Sequence, residues 1–119
     1  MKTYKDLIVW EKSIELVIAI YNLTEKFPKE EVFGLTSQIR RAAVSLPSNI
    51  AEGKMRGGEI EFKRFLSIAF ASGAELETQL IISKKLPKTS KLEYNKVESL
   101  LSEVMRMLNK LISQLEPSA

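Results

Sequence analysis

Arg40 and Arg41 stand side by side, carboxylates follow at Glu52, Glu75 and Glu77, and lysines cluster at Lys84, Lys85, Lys88 and Lys91. These are the side chains whose types and spacing could do chemistry. A guanidinium matches phosphate bidentately, so Arg40, Arg41 and Arg56, with Lys54 and the four clustered lysines, form a candidate nucleic-acid-binding set. The competing reading makes the arginines ion-pair partners of Glu52, Glu75 and Glu77, between helices or between subunits. The residues favour this second reading, with Gln38 and Asn49 completing a structural polar network. A partly buried pair of this kind fixes register more than it stabilises. As an acid–base or Mg²⁺ cluster the three carboxylates have little support, because nothing else in the chain shapes such a site. The chain has neither His nor Cys, which removes zinc fingers, Cys or His nucleophiles and Glu-x-x-His di-iron sites. No catalytic residue, metal ligand, cofactor or small-molecule substrate is therefore assigned, and the chain is not expected to be an enzyme.

The elements that position these residues follow from apolar periodicity. In the stretch from Phe33 to Gly53, Leu35, Ile39, Ala42, Leu46 and Ile50 recur at helical spacing, beside a polar stripe of Arg41, Ser45, Asn49 and Glu52. Pro47 inside this helix removes one backbone donor and predicts a kink or an opening. The first helix is expected over residues 6–26, with Asp6 as N-cap. It carries two apolar seams. Leu7, Trp10, Ile14, Val17 and Tyr21 keep a strict heptad and are assigned to the core. Val9, Leu16, Ile20, Leu23 and Phe27 form a second seam roughly 130° away, so either this helix lies unusually deep in its own core or, the reading taken, Val9, Leu16, Ile20 and Leu23 form an oligomer interface.

The remaining helices are expected over residues 36–53, capped by Thr36 and closed by Gly53, then 59–86 and 90–115. The third has the seam Phe62, Leu66, Ala69, Gly73, Leu76 and Leu80, with Gly73 admitting a close neighbour. Pro87 stops it. Ser90 with Glu93 reads as a capping box for the fourth helix, whose seam is Val97, Leu101, Val104, Leu108, Leu111 and Leu115 and which Pro117 ends. Four long helices on short loops predict an all-α, antiparallel up-down-up-down four-helix bundle in a single domain spanning residues 1–119. Heptad placement also assigns the aromatics Trp10, Tyr21, Phe62 and Phe65 to the core rather than to base stacking.

Composition sets the outer bounds. With 45% hydrophobic and 28% charged residues, the 119-residue chain is ordinary for a soluble globular domain. No apolar run reaches the ~20 residues of a membrane span, and the opening MKTYKDLIVWEKS is too quickly charged for a signal peptide. Without cysteine, a cytoplasmic location is the default expectation. The net charge of +3 is unevenly placed, with eight Lys/Arg against four acids over residues 54–91. In the expected topology one end of the rod carries Lys2, Lys5, Lys54 and Arg56. The other carries Lys26, Lys29, Lys84, Lys85, Lys88 and Lys91, partly offset by Glu25, Glu30 and Glu31.

The stretches FPKEEVFGLTSQIRRAAVSLPSNIAEG and EFKRFLSIAFASGAELETQL, with Asp6-Leu7, Trp10 and Tyr21 before them, resemble the four-helix-bundle proteins encoded in intervening sequences of bacterial 23S ribosomal RNA genes. A related bundle is the accessory protein of diversity-generating retroelements. The likeness covers the chain to about residue 86; the fourth helix matches in pattern alone. It implies an antiparallel bundle that assembles as a ring-like pentamer, without established catalysis and with an inferred nucleic-acid role. The motif positions carried over are Gln38, Arg40, Arg41, Asn49, Glu52, Gly53, Arg56, Ser72, Glu75 and Glu77. Gly58 departs from a hydroxyl N-cap in the family pattern, and Ala71 departs from a glycine.

Two functions fit. The first is a homo-oligomer that binds structured RNA, associated with ribosomal RNA, where each modest basic patch is repeated by every subunit and the fields add. The second is a protein-interaction scaffold or accessory subunit with no nucleic-acid contact.

Overall fold

The computed structural model describes residues 3–115; the expectations placed on Lys2 and Pro117 lie outside them. Four helices make up the fold: α1 (Ile8–Thr24), α2 (Leu35–Met55), α3 (Glu59–Lys85) and α4 (Asn95–Leu115). Each packs on its two neighbours in a closed square, α1 on α2, α2 on α3, α3 on α4 and α4 back on α1. Cross-links step in opposite directions along neighbouring helices, which makes each pair antiparallel. Ser45 meets Ser72 and Arg56 meets Glu61 between α2 and α3, while Gly73 abuts Met105 and Lys84 meets Glu98 between α3 and α4.

For three helices the expected core holds, except that Leu35, Leu111 and Leu115 are only partly buried. Ile39, Ala42, Leu46 and Ile50 of α2, Phe62, Leu66, Ala69, Leu76 and Leu80 of α3, and Val97, Leu101, Val104 and Leu108 of α4 are all buried. In α1 the two seams exchange roles. Leu16 and Ile20 are 0% exposed, Val9, Leu23 and Phe27 are buried with them, and all five line the interior of a single subunit. They offer no surface to a second copy, so the interface assigned to Val9, Leu16, Ile20 and Leu23 is corrected here. Of the heptad assigned to the core, Leu7 is buried, Trp10 and Val17 are partly buried, and Ile14 and Tyr21 are exposed.

Small polar residues explain the exchange. Ser13 and Thr24 lie on the Leu16–Ile20 face and are buried. The Ser13 hydroxyl donates to the Trp10 carbonyl at 2.7 Å and the Thr24 hydroxyl to the Ile20 carbonyl at 2.7 Å. Each satisfies itself on its own helix, so burying it leaves no polar group without a partner.

Element ends differ from the sequence reading in detail. Asp6 does not cap α1. Thr3 caps a short 3-10 turn, Tyr4–Asp6, in a capping box whose Asp6 carboxylate accepts from the Thr3 amide at 3.2 Å. Gly34, not Thr36, precedes α2, and the Glu31 carboxylate accepts from the Leu35 amide at 3.0 Å. α2 runs without a break through Pro47 and past Gly53. Gly53 is buried in the last turn of α2, where an added Cβ would stand 2.6 Å from the Phe65 Cβ, so it serves helix approach rather than termination. The turn to α3 is made at Gly57, whose φ of 78° suits glycine. Ser90 does not cap α4; the helix begins at Asn95, whose amide reaches the Glu93 carboxylate at 3.2 Å. Tyr94 closes the α3–α4 connection with its hydroxyl donating to the Thr89 carbonyl at 2.8 Å, and burial pushes that hydroxyl above its ordinary pKa.

α3 is long and apolar enough, by length and composition, to cross a membrane. In the bundle its apolar face is core, from Phe62 to Leu80, packed against α2 and α4.

Candidate interaction surfaces

The residues expected to contact phosphate fall into three groups. Arg40 is held: its Nε donates to the Thr24 hydroxyl at 2.8 Å, its guanidinium lies 4.3 Å from the Tyr21 ring centre, and Glu25 is 3.9 Å away. Arg41 is exposed and makes no ion pair among the described residues. Lys54 and Arg56 sit over the rings of Phe62 and Phe65 at the α2–α3 end, at 5.4 and 4.9 Å. Arg56 also bridges Glu52 at 3.0 Å and Glu61 at 3.6 Å, and Glu61 in turn binds Arg64 at 2.9 Å. The hydrogen bond from Arg64 holds the Glu61 carboxyl below the usual carboxylate range.

At the opposite end, Lys84 pairs with Glu98 at 2.9 Å and Lys88 pairs with Glu30. The Lys88–Glu30 bridge ties the α1–α2 connection to the α3–α4 connection. It thereby gathers Lys26, Lys29, Lys85 and Lys91 at one end, exposed and without an ion pair among the described residues. Only half of the expected lysine cluster is free, and Lys26 and Lys29 extend it from the neighbouring loop.

The polar network also differs from expectation. Arg40 and Arg41 make no bridge to Glu52, Glu75 or Glu77 among the described residues. Glu52 belongs to Arg56, Glu75 reaches Gln79 at 3.4 Å, and Gln38 and Glu77 are exposed. Midway along the α2–α3 seam the link is neutral, while Arg56 and Glu61 pair at its end. The Ser45 and Ser72 hydroxyls are 2.8 Å apart, and the Asn49 amide donates to the Ser45 hydroxyl at 2.8 Å and its carbonyl at 2.9 Å. No group of three or more acidic side chains among the described residues is arranged to hold a metal ion.

Exposed apolar side chains lie on α3, at Ile60, Ile68, Ile81 and Ile82, as well as between α1 and α2. The outward positions of α4, among them Ser102, Arg106, Asn109 and Lys110, are polar. The groove between α1 and α2 is not: Trp10, Ile14, Val17, Ile18, Val44 and Pro47 line a cavity of about 370 Å³. It adjoins a second of about 600 Å³ lined by Tyr21, Val32, Thr36, Arg40, Arg41 and Val44. Thr36 is buried in its wall with a hydroxyl that finds no partner. Beside this groove Phe33 is 98% exposed. The sequence reading missed Phe33, Ile18 and Val44 as surface residues. The signal available for Phe33 was an aromatic in a turn, off every helical seam.

These features define a class before a family: an antiparallel four-helix bundle with a hydroxyl contact midway along the α2–α3 seam, exposed lysines at one end and an apolar groove between α1 and α2. The family model for the 23S rRNA-intervening sequence protein matches residues 5–110, and the chain belongs to that family. A crystal structure of a protein of unknown function from the S23 ribosomal protein family of Bacteroides thetaiotaomicron is similar throughout. It shares 25% sequence identity at a TM-score of 0.73, over 92% of this chain and 100% of that one. No curated protein matches the chain.

Proposed function

We propose that the protein is a non-enzymatic, self-associating bundle that binds structured RNA through the basic end of each copy. The observation that carries this reading is the Lys88–Glu30 bridge between two loops, beside which Lys26, Lys29, Lys85 and Lys91 make no ion pair among the described residues. Four free cations on one subunit make a weak site. Repeated by every subunit of a ring, such as the pentamer the family resemblance implies, they sum to a strong field for a polyanion. Self-association is supported by the apolar α1–α2 groove, since solvent-exposed apolar surface rimmed by polar residues marks interaction sites.

A gel-shift titration of the purified protein against structured ribosomal RNA fragments tests this, run at about 50 and 200 mM salt. Binding is expected to fall steeply with salt, and the combined change of Lys26, Lys29, Lys85 and Lys91 to Gln is expected to weaken it and flatten the salt slope. No binding at the lower salt removes RNA from the reading and leaves the scaffold, whose apolar groove would then be the functional surface.

A further inference from the structure

Phe33 and the α1–α2 groove are a mismatch within one subunit. The most exposed large apolar side chain of the described residues follows Val32, which lines the cavity adjoining a groove that Phe33 does not line. Its turn is well ordered. The Val32 amide donates to the Lys29 carbonyl at 3.1 Å and the Gly34 amide to the Glu31 carbonyl at 3.0 Å, while the Glu31 carboxylate caps α2. Gly34 makes that cap feasible, because a Cβ there would stand 2.9 Å from the Glu31 carboxylate oxygen. The ring is thus presented on a hydrogen-bonded scaffold, not a floppy loop, and little ordering entropy is lost when it docks.

We propose that Phe33 of one copy is the knob that fills the α1–α2 groove of a second copy, on Ile14, Ile18, Val44 and Pro47. This deepens the self-association reading and rests on it. Three observations name the occupant. The groove is apolar and about 370 Å³, of the size that takes a single aromatic anchor with its flanking residues. Charge matches at the rim: Glu31, two residues before the knob, and Arg41, which lines the adjoining cavity, each make no ion pair among the described residues. Knob and groove are also different surfaces of the same chain, so every copy is donor and acceptor at once. A joint between unlike surfaces propagates from copy to copy and closes into a ring when the rotation permits.

The test uses Phe33→Glu and Ile18→Glu, both at exposed positions, in sedimentation velocity across a concentration series. Circular dichroism and thermal melts check that each variant keeps the wild-type fold, with Val44→Lys as a second groove variant if Ile18→Glu does not. The wild type is expected to self-associate, and each variant alone to associate at least roughly 30-fold more weakly, the loss that removing an interface anchor brings. Mixing the two is expected to restore a species of two chains and no larger. One copy supplies an intact knob, the other an intact groove, and the chain of joints stops there. A wild type that stays monomeric overturns self-association itself. A wild type that assembles while Phe33→Glu assembles equally well, or a mixture that forms no two-chain species, overturns the knob and leaves self-association standing.

Discussion

The hydroxyls of Ser45 and Ser72 lie 2.8 Å apart across the seam between α2 and α3, with the Asn49 amide bound to Ser45 from one turn further on. Small side chains there let the two backbones come close, and the hydrogen bonds fix their register without any charge. A neutral, half-buried contact of this type contributes about 1 kcal/mol net. In urea denaturation, Ser45→Ala and Ser72→Ala are each expected to cost about 0.5–1.5 kcal/mol and to be non-additive. Additive losses in the double-mutant cycle would show that the two hydroxyls act independently.

Close approach makes the glycines unequal. At Gly53 an added Cβ would meet the Phe65 Cβ at 2.6 Å and the Phe62 carbonyl at 3.3 Å, atoms that cannot rotate away. At Gly73 it would meet the Met105 sulfur at 2.2 Å, the middle of a flexible side chain. At Gly58 nothing lies within 4 Å. The order of destabilisation expected from thermal melts is Gly53→Ala, then Gly73→Ala, then Gly58→Ala. The first should exceed the ~1–3 kcal/mol of ordinary overpacking, and the last should be neutral or mildly stabilising. Shortening Met105 to Ala alongside Gly73→Ala should recover part of the loss. Equal melting points for the first two variants would contradict the packing described.

The exchange of seams on α1 has a direct test. Leu16→Ala and Ile20→Ala each open a cavity in the core and are expected to cost about 2–5 kcal/mol. Ile18→Ala, at a position 58% exposed, should stay within about 0.5 kcal/mol when measured on the dissociated chain at low concentration. The reverse pattern would return Leu16 and Ile20 to the surface.

Ion pairing between the loops sets a pH dependence. The hydrogen bond from Lys88, helped by its charge, lowers the Glu30 pKa, and the same contact raises that of Lys88. For Glu30 the stabilisation is present above its unfolded value, about 4.3, and is lost as the pH falls through the lower folded value. For Lys88 it is present below about 10.4 and is lost as the pH rises through the higher folded value. Both groups are exposed, so the effect is local rather than a large share of stability. Carbon-detected NMR should place the Glu30 carboxyl transition below the ordinary glutamate value, and Lys88→Gln should move it up. An unmoved transition would mean the bridge does not form in solution.

Much of this protein was legible in its sequence. Helical periodicity and the placement of Pro87 determined four helices, while the end expected at Gly53 moved to Met55 in the structure. The single seams of α2, α3 and α4 determined their buried faces, because a helix with one apolar stripe has one way to hide it. α1 was different. Ile14, Ile18 and Tyr21 on one side and Leu16, Ile20 and Leu23 on the other are comparably apolar, and periodicity cannot rank two stripes. Tertiary structure decided between them: α2 and α4 close on the face where Ser13 and Thr24 satisfy their own hydroxyls, and that leaves Ile14, Ile18 and Tyr21 exposed. The charged sites were undecided for a related reason. Whether Lys88 is free or bound to Glu30, 58 residues away in sequence, depends on which loops meet in space, and local spacing carries no such information.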